Sequence, residues 1–187
     1  LQTQIENALQ CRVVVDNIAN ALCINHVDTI QVQTSKTPNI MLVHVAAGMG
    51  ASLFINGQLV RRGGDEGWIG QIKIPQLKQD FNGRLSLGDA VSGRAIMTEL
   101  TKHRSFEVDQ EADFATNFQK AVDEANRGNQ RFSEVFRESG KVLGRNLFFL
   151  SAGSQPDLVV LAGPVRQAKP YEEGLYQGFE EENDAAG

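Results

Sequence analysis

Apolar positions along this chain fall into two kinds of pattern. Ile40 to Ala47 and Asp157 to Ala162 (DLVVLA) are nearly unbroken apolar runs, which read as strands buried on both faces. A second run near the first, Ala51 to Ile55, leads into Asn56-Gly57, the strongest short hairpin signal. Between them Gly48 and Gly50 flank Met49, so the backbone there can turn tightly or approach a ligand. Gly63-Gly64, Gly67 and Gly70 punctuate the stretch as far as Ile74. Two readings of it stay open: a ligand-facing sheet edge, or a β-meander whose glycines only make turns.

The other pattern is helical. Ile5 and Leu9 lie one turn apart and predict a short first helix, followed by a brief β-branched strand at Arg12 to Val15. Asp16 or Asn17 then caps a helix through Ala19, Leu22 and His26. Thr34 to Asn39 reads as a loop into the central strand. The pattern breaks at Pro75, Lys78 to Gly83 is loop-like, and Leu87 to Leu100 reads as one helix with Asp89 near its N-terminus. A helix beginning at Asp109 or Gln110 carries Phe114, Phe118, Val122 and Ala125 and stops at Gly128. The next has Phe132, Phe136, Leu143, Leu147 and Leu150 on one stripe, with Gly140 and Gly144 permitting close packing. These aromatic stripes are core. Gly163-Pro164 turns the chain out of its last strand, Lys169 to Phe179 forms a final helix, and EEENDAAG is a solvated acidic tail. The order of elements predicts an α/β domain spanning 1–187, a mixed sheet covered by helices. In such sheets ligands bind beyond the carboxyl ends of strands, near Ala47 and Ala162 here.

Composition narrows the chemistry. A net charge of −5 over 187 residues argues against nucleic-acid binding by this surface. No apolar run reaches membrane-spanning length, so no membrane partner is expected. Cys11 and Cys23 are too few for a disulfide framework and lack metal-ligand spacing. Both read as buried reduced thiols, consistent with a reducing cytoplasm. The N-terminus has no initiating Met and no signal peptide, and reads as the start of a cut piece. His44 reads as a hydrogen-bonded core histidine, and His26 and His103 as surface residues. Arg61-Arg62 and Lys102-His103-Arg104 read as solvated clusters.

Five segments then resemble, in order, the signatures of the ROK family of bacterial sugar kinases and sugar-responsive repressors. VVVDNIANAL (Val13 to Leu22) is similar to that family's V-E-N-D-A-N-A-A. AAGMGASLFINGQLVRRG (Ala46 to Gly63) resembles its phosphate-side segment G-T-G-I-G-A-G-I-I-x-x-G-x-L-x-x-G, and EGWIGQI (Glu66 to Ile72) its sugar-side turn A-G-E-I-G-H. LGDAVSGRAI (Leu87 to Ile96) looks like C-L-E-x-x-x-S-G-x-A, and PDLVVLAGPV (Pro156 to Val165) like the strand P-x-x-I-V-L-G-G-G near the adenosine. The resemblance covers nearly the whole chain. It implies the C-terminal lobe of a two-lobed, actin-like ATPase fold, with the N-terminal lobe and any DNA-binding helix-turn-helix lying outside this sequence.

The departures from that pattern decide the expected mechanism. A sugar kinase needs a carboxylate to take the proton from the attacking hydroxyl. The matching position here is Ile18, which can accept none. The family's sugar-gripping Glu and His fall on Trp68 and Gln71, and the Glu of its C-L-E falls on Gly88, with Asp89 one place out of register. The family's zinc site needs that His and several Cys, which are not offered. No metal or nucleotide cofactor is therefore expected. Asn17, Asn20, Gly48 and Gly50 remain, with Trp68 and Gln71, as candidate ligand-binding residues. Asn17 and the glycines also have structural readings, as a cap and a tight turn. Trp68 either stacks on a ring ligand or, the reading preferred, fills the emptied pocket.

The resulting expectation is a non-catalytic, sugar- or metabolite-sensing and dimerisation domain of a ROK-type regulator. Its effector would be a sugar or sugar phosphate, its partner a second copy, and DNA would be reached only through a missing N-terminal domain. Against it stand a sugar kinase with a base relocated to Asp16 or Asp89, and a ligand-free oligomerisation scaffold.

Overall fold

The computed structural model describes residues 1–61, 68–74, 86–102 and 107–186, with the backbone alone at Trp68. The readings of Arg62, Gly63-Gly64, Glu66, Gly67, Pro75, Lys78 to Gly83 and His103-Arg104 lie outside the described residues, as does the side chain of Trp68.

The central run becomes β1 (Ile40–Val45), buried along nearly its whole length. It pairs antiparallel with β2 (Met49–Ile55), which pairs antiparallel with β3 (Gln58–Leu59). Asn56 and Gly57 both have positive φ, 52° and 80°, the mirror-image turn that matches strand twist. On its other side β1 pairs parallel with β4 (Leu158–Ala162), giving a mixed sheet in the order β3-β2-β1-β4. The pleat divides two cores. Ile40 and Leu42 face α2 (Ile18–Thr34), through Ala19, Cys23 and Val27. Met41, Val43 and Val45 face the larger cluster built from the later helices.

Those helices are α3 (Leu87–Val91), α4 (Gly93–Lys102), α5 (Phe114–Asn126), α6 (Gln130–Ser154) and α7 (Lys169–Ala186). Glycines let α6 and α7 approach backbone to backbone: a Cβ at Gly140, Gly144, Gly174 or Gly178 would collide with a carbonyl of the other helix. Gly140 faces Tyr171 and Gly144 faces Leu175, so the two helices run the same way. Tyr171 is fully buried and its hydroxyl donates to Val91 O at 3.2 Å, tying α7 to α3. Burial pushes that phenol well above its ordinary range.

Several expectations are corrected. Arg12 to Val15 is no strand. The first helix, α1 (Gln2–Leu9), folds back on it instead: Gln2 donates to Val13 O and Glu6 accepts from Val13 N–H, while Val14 and Val15 stay exposed. The Leu87–Leu100 helix is broken at Ser92, whose extended backbone (ψ 161°) ends α3 and whose Oγ accepts from Ala95 N–H at the start of α4. Helix α5 starts at Phe114 because Asp113, not Asp109 or Gln110, is its cap. β4 is not buried on both faces: with β1 on one side only, Leu158 and Val159 are 40% and 36% exposed. The acidic tail is helical to Ala186, since Glu181 pairs with Lys141 (2.6 Å) and Arg145 (2.7 Å) on α6. Cys11 is exposed at the end of α1, and only Cys23 is buried.

Candidate functional site

The site is assembled where three chain segments meet the far end of β1. The first is the start of α2. Asn17 adopts an extended conformation (φ −65°, ψ 139°) and its Oδ1 accepts the Ala19 N–H at 2.7 Å, so it is the helix cap. Its side chain lies against Gly50, where an added Cβ would stand 3.9 Å from Asn17 Oδ1. Gly50 is opposite His44 in the sheet register, so His44 faces the same side. Among the described residues no hydrogen bond reaches the His44 side chain, contrary to its reading as a hydrogen-bonded core residue. Half-burial lowers its pKa by disfavouring the charged imidazolium.

The second segment is the turn from β1 to β2. Ala46 N–H donates to Gly48 O at 2.8 Å, closing the turn on itself. The start of α4 then clamps it: Gly93 N–H donates to Ala46 O at 2.7 Å and Arg94 N–H to Ala47 O at 3.2 Å. Amides at a helix N-terminus are natural anion donors. Here two of them are taken by the turn's own carbonyls.

The third is the 3₁₀ turn Trp68–Gln71, packed between β2 and the start of α3. A Cβ at Gly70 would stand 3.1 Å from Met49 O, and a Cβ at Gly88 would stand 2.9 Å from Gly70 O. Gly88 is the position that the resemblance gives to the Glu of C-L-E. The carbonyl of Gly70 now closes over it, so a side chain there would require the turn to shift. Gln71, at the position of the family's His, is exposed. The structure thus brings Asn17 to Gly50 and Gly70 to Met49, and places Gly48 exposed at the turn. It sets Asn20 beneath rather than beside them, 1% exposed.

The two carboxylates weighed as a relocated base, Asp16 and Asp89, are both engaged. Asp16 Oδ1 accepts the Asn17 N–H (2.7 Å) and Asn20 Nδ2 (2.8 Å), while Oδ2 accepts from Arg61 at 2.6 Å. The Arg61 guanidinium foremost, then Asn20, holds its pKa below the usual carboxylate range. Asp89 forms a capping box with Ser86: its Oδ2 accepts both the Ser86 N–H (3.0 Å) and Oγ–H (2.7 Å). Those bonds lower its pKa too. A carboxylate whose pKa is lowered by hydrogen bonds it already accepts is a poorer proton acceptor at neutral pH. Ile18 itself opens α2 and is 59% exposed. Arg61, read from the sequence as solvated, is in fact part of this corner. No local pattern announces it, because its partner is 45 positions away.

The residues present do not fit a zinc site. Gln71 offers an amide, and among the described residues no three His, Cys, Asp or Glu side chains gather as a metal would need.

The ROK family model matches residues 1–182. The chain belongs to the ROK family. Solved structures agree on the fold, that of an actin-like ATPase lobe. A ROK hexokinase from Thermus thermophilus superposes with a TM-score of 0.71 at 19% identity, over 96% of this chain and 59% of that one. A ROK glucokinase from Streptomyces griseus, in complex with glucose and AMPPNP, gives 0.74 at 18%, over 97% and 62%. A ROK transcriptional regulator, a homologue of the E. coli MLC protein, gives 0.71 at 19%, over 96% and 46%. The chain therefore spans about half to three-fifths of the length of these ROK structures. No curated protein matches it.

Proposed function

We propose that this ROK lobe is a non-catalytic sugar-sensing and dimerisation module of a transcriptional regulator. The observation that carries the reading is the state of the carboxylates. The position that the resemblance gives to the base is Ile18, and the two acids weighed as its replacement, Asp16 and Asp89, are held as structural acceptors. Neither of these two carboxylates is left free to take the proton from a sugar hydroxyl. The Gly70 carbonyl also lies where a side chain at Gly88 would begin, so the Glu that the resemblance expects there has no room. What is left for a ligand is the face made by Asn17, Gly48 and Gly50, with Gln71 on the neighbouring turn. That set suits a neutral polyol or a sugar phosphate better than a nucleotide, and zinc and ATP have no role in this reading.

The protein works in the cytoplasm as a homodimer, and reaches DNA through a domain outside this chain. No described helix is long and apolar enough to cross a membrane, which leaves that placement unopposed. The kinase reading draws its support from the hexokinase and glucokinase among the structural neighbours.

One pair of measurements on the intact protein separates them. Calorimetry against a panel of sugars and sugar phosphates is expected to yield binding, and a coupled assay is expected to yield no sugar-dependent ATP turnover. Turnover above background overturns the regulatory reading. Flat titrations across the panel leave the dimerisation role alone. A coding sequence upstream of Leu1 that holds a helix-turn-helix decides for the regulator directly.

A further inference from the structure

The ion pair between Arg61 and Asp16 sits where a solvated arginine and a spare carboxylate were expected. Asp16 closes the extended segment before α2, and Arg61 follows β3 at the exit of the hairpin. Their 2.6 Å contact ties the end of the sheet to the start of the helix. The other oxygen of Asp16 reaches both asparagines of the site, through the Asn17 amide and the Asn20 side chain. Asp16 is only 15% exposed at its side chain, whereas Arg61 is 49% exposed. An exposed ion pair contributes little to stability, so its consequence is geometric.

We propose that Arg61 and Asp16 form a positioning clamp that holds the Asn17 side chain against Gly50, so that ligand grip on this face depends on the hairpin carrying Arg61. The clamp rests on reading Asn17 and the Gly48–Gly50 turn as the sugar-facing surface. Asp16 acts through Asn17 and Asn20 and touches no ligand. With Arg61 removed, Asp16 keeps its amide donors but loses its counter-ion. It can then rotate toward water, releasing the Asn17 amide that fixes the cap. The hydrogen bond from Arg61, ahead of that from Asn20, lowers the Asp16 pKa. From β1, His44 is the titratable group on the same side of the sheet, while α2 presents the neutral Asn20.

The test uses the intact protein and the variants Arg61→Ala, Arg61→Lys and Asp16→Asn. The side-chain amide signals of Asn17 and Asn20 are followed by proton–nitrogen NMR against pH without ligand, and glucose binding is measured on the same samples. In the unaltered protein the Asn20 signal should titrate only below 3.8, the ordinary Asp value. In Arg61→Ala that midpoint should rise toward 3.8 and the Asn17 signal should move, with Arg61→Lys returning part of both. Glucose affinity should fall roughly five- to tenfold in Arg61→Ala and Asp16→Asn, the equivalent of about one hydrogen bond, with thermal midpoints nearly unchanged. Unmoved Asn17 and Asn20 signals in Arg61→Ala overturn the clamp whatever the sugar does. So does unchanged glucose affinity in a protein that binds it. A clamp signature in NMR with no glucose binding by any sample strikes the sugar reading instead and leaves the clamp standing.

Discussion

Gly140 on α6 lies directly beneath the backbone carbonyl of Tyr171 on α7. The same relation repeats one turn on with Gly144 and Leu175, and reciprocally with Gly174 and Gly178 under Arg137 and Lys141. Any side chain in the seam meets backbone, which cannot swing aside. Gly140→Val should therefore destabilise the fold by about 3 kcal/mol or more, the upper end of overpacking. Gly153, on the same helix, has open space around its Cα. Gly153→Ala should be neutral or stabilise by about 0.5 kcal/mol, from helix propensity alone. Urea unfolding midpoints of the two variants check this contrast directly.

The end of α7 is held by charge rather than by packing. Lys141, then Arg145, draws the Glu181 carboxyl from its ordinary 4.5 down to about 2. A carboxylate with a depressed folded pKa is protonated first in the unfolded chain. Its contribution to stability is thus full above 4.5 and is lost as pH falls toward 2. Glu181→Gln should flatten the fall in urea midpoint across that window. It should also remove much of the salt sensitivity at neutral pH, since the pairs are exposed. A wild-type and variant pair with parallel pH profiles would remove Glu181 from the account.

Ile18 is half-solvated at the first position of α2, so Ile18→Asp should fold normally, with a stability change within about 0.5 kcal/mol. A carboxylate there is favoured by the helix N-terminus. Supplying the base alone should not create a sugar kinase, because Gly88 stays closed by Gly70 and positions 68 and 71 keep Trp and Gln. A coupled ATP assay on the intact variant with glucose should stay at background. Turnover there would mean that Ile18 was the one missing part.

The two cysteines should react in two phases. Cys11 is exposed, whereas Cys23 is 0% exposed and its thiol pKa is raised by burial. A thiol reagent should label one equivalent rapidly in native buffer and the second only as urea unfolds the protein. Fast labelling of both would place Cys23 in a segment that opens easily, and would question the packing of α2 on β1.

Much of the site could be read before any coordinates, wherever the chemistry is local. Asn17 caps α2 because a short acceptor beside free amides needs no distant help. Asn56-Gly57 turns because both positions tolerate positive φ. The absence of a base at Ile18 is a property of one side chain. By contrast, the fate of Asp16 was illegible. From the sequence it is a candidate cap or a relocated base two residues from Ile18, and only the return of the hairpin at Arg61 gives it a cationic partner. The closing of Gly88 is of the same kind, since Gly70 reaches it through the packing of a turn against a helix start.

The sequence by itself therefore determined the α/β class, the central strand and hairpin, the cap at Asn17 and the alkyl side chain at position 18. Each follows from residues within a few positions of one another or from a single side chain's chemistry. Tertiary structure alone decided that Arg12 to Val15 stays out of the sheet, that β4 is an edge, and that the acidic tail is a helix docked on Lys141 and Arg145. It also decided that Asp16 and Asp89 accept hydrogen bonds within the fold. Those outcomes depend on which distant group arrives to satisfy a donor, an acceptor or a charge, and a chain read along its length does not carry that information.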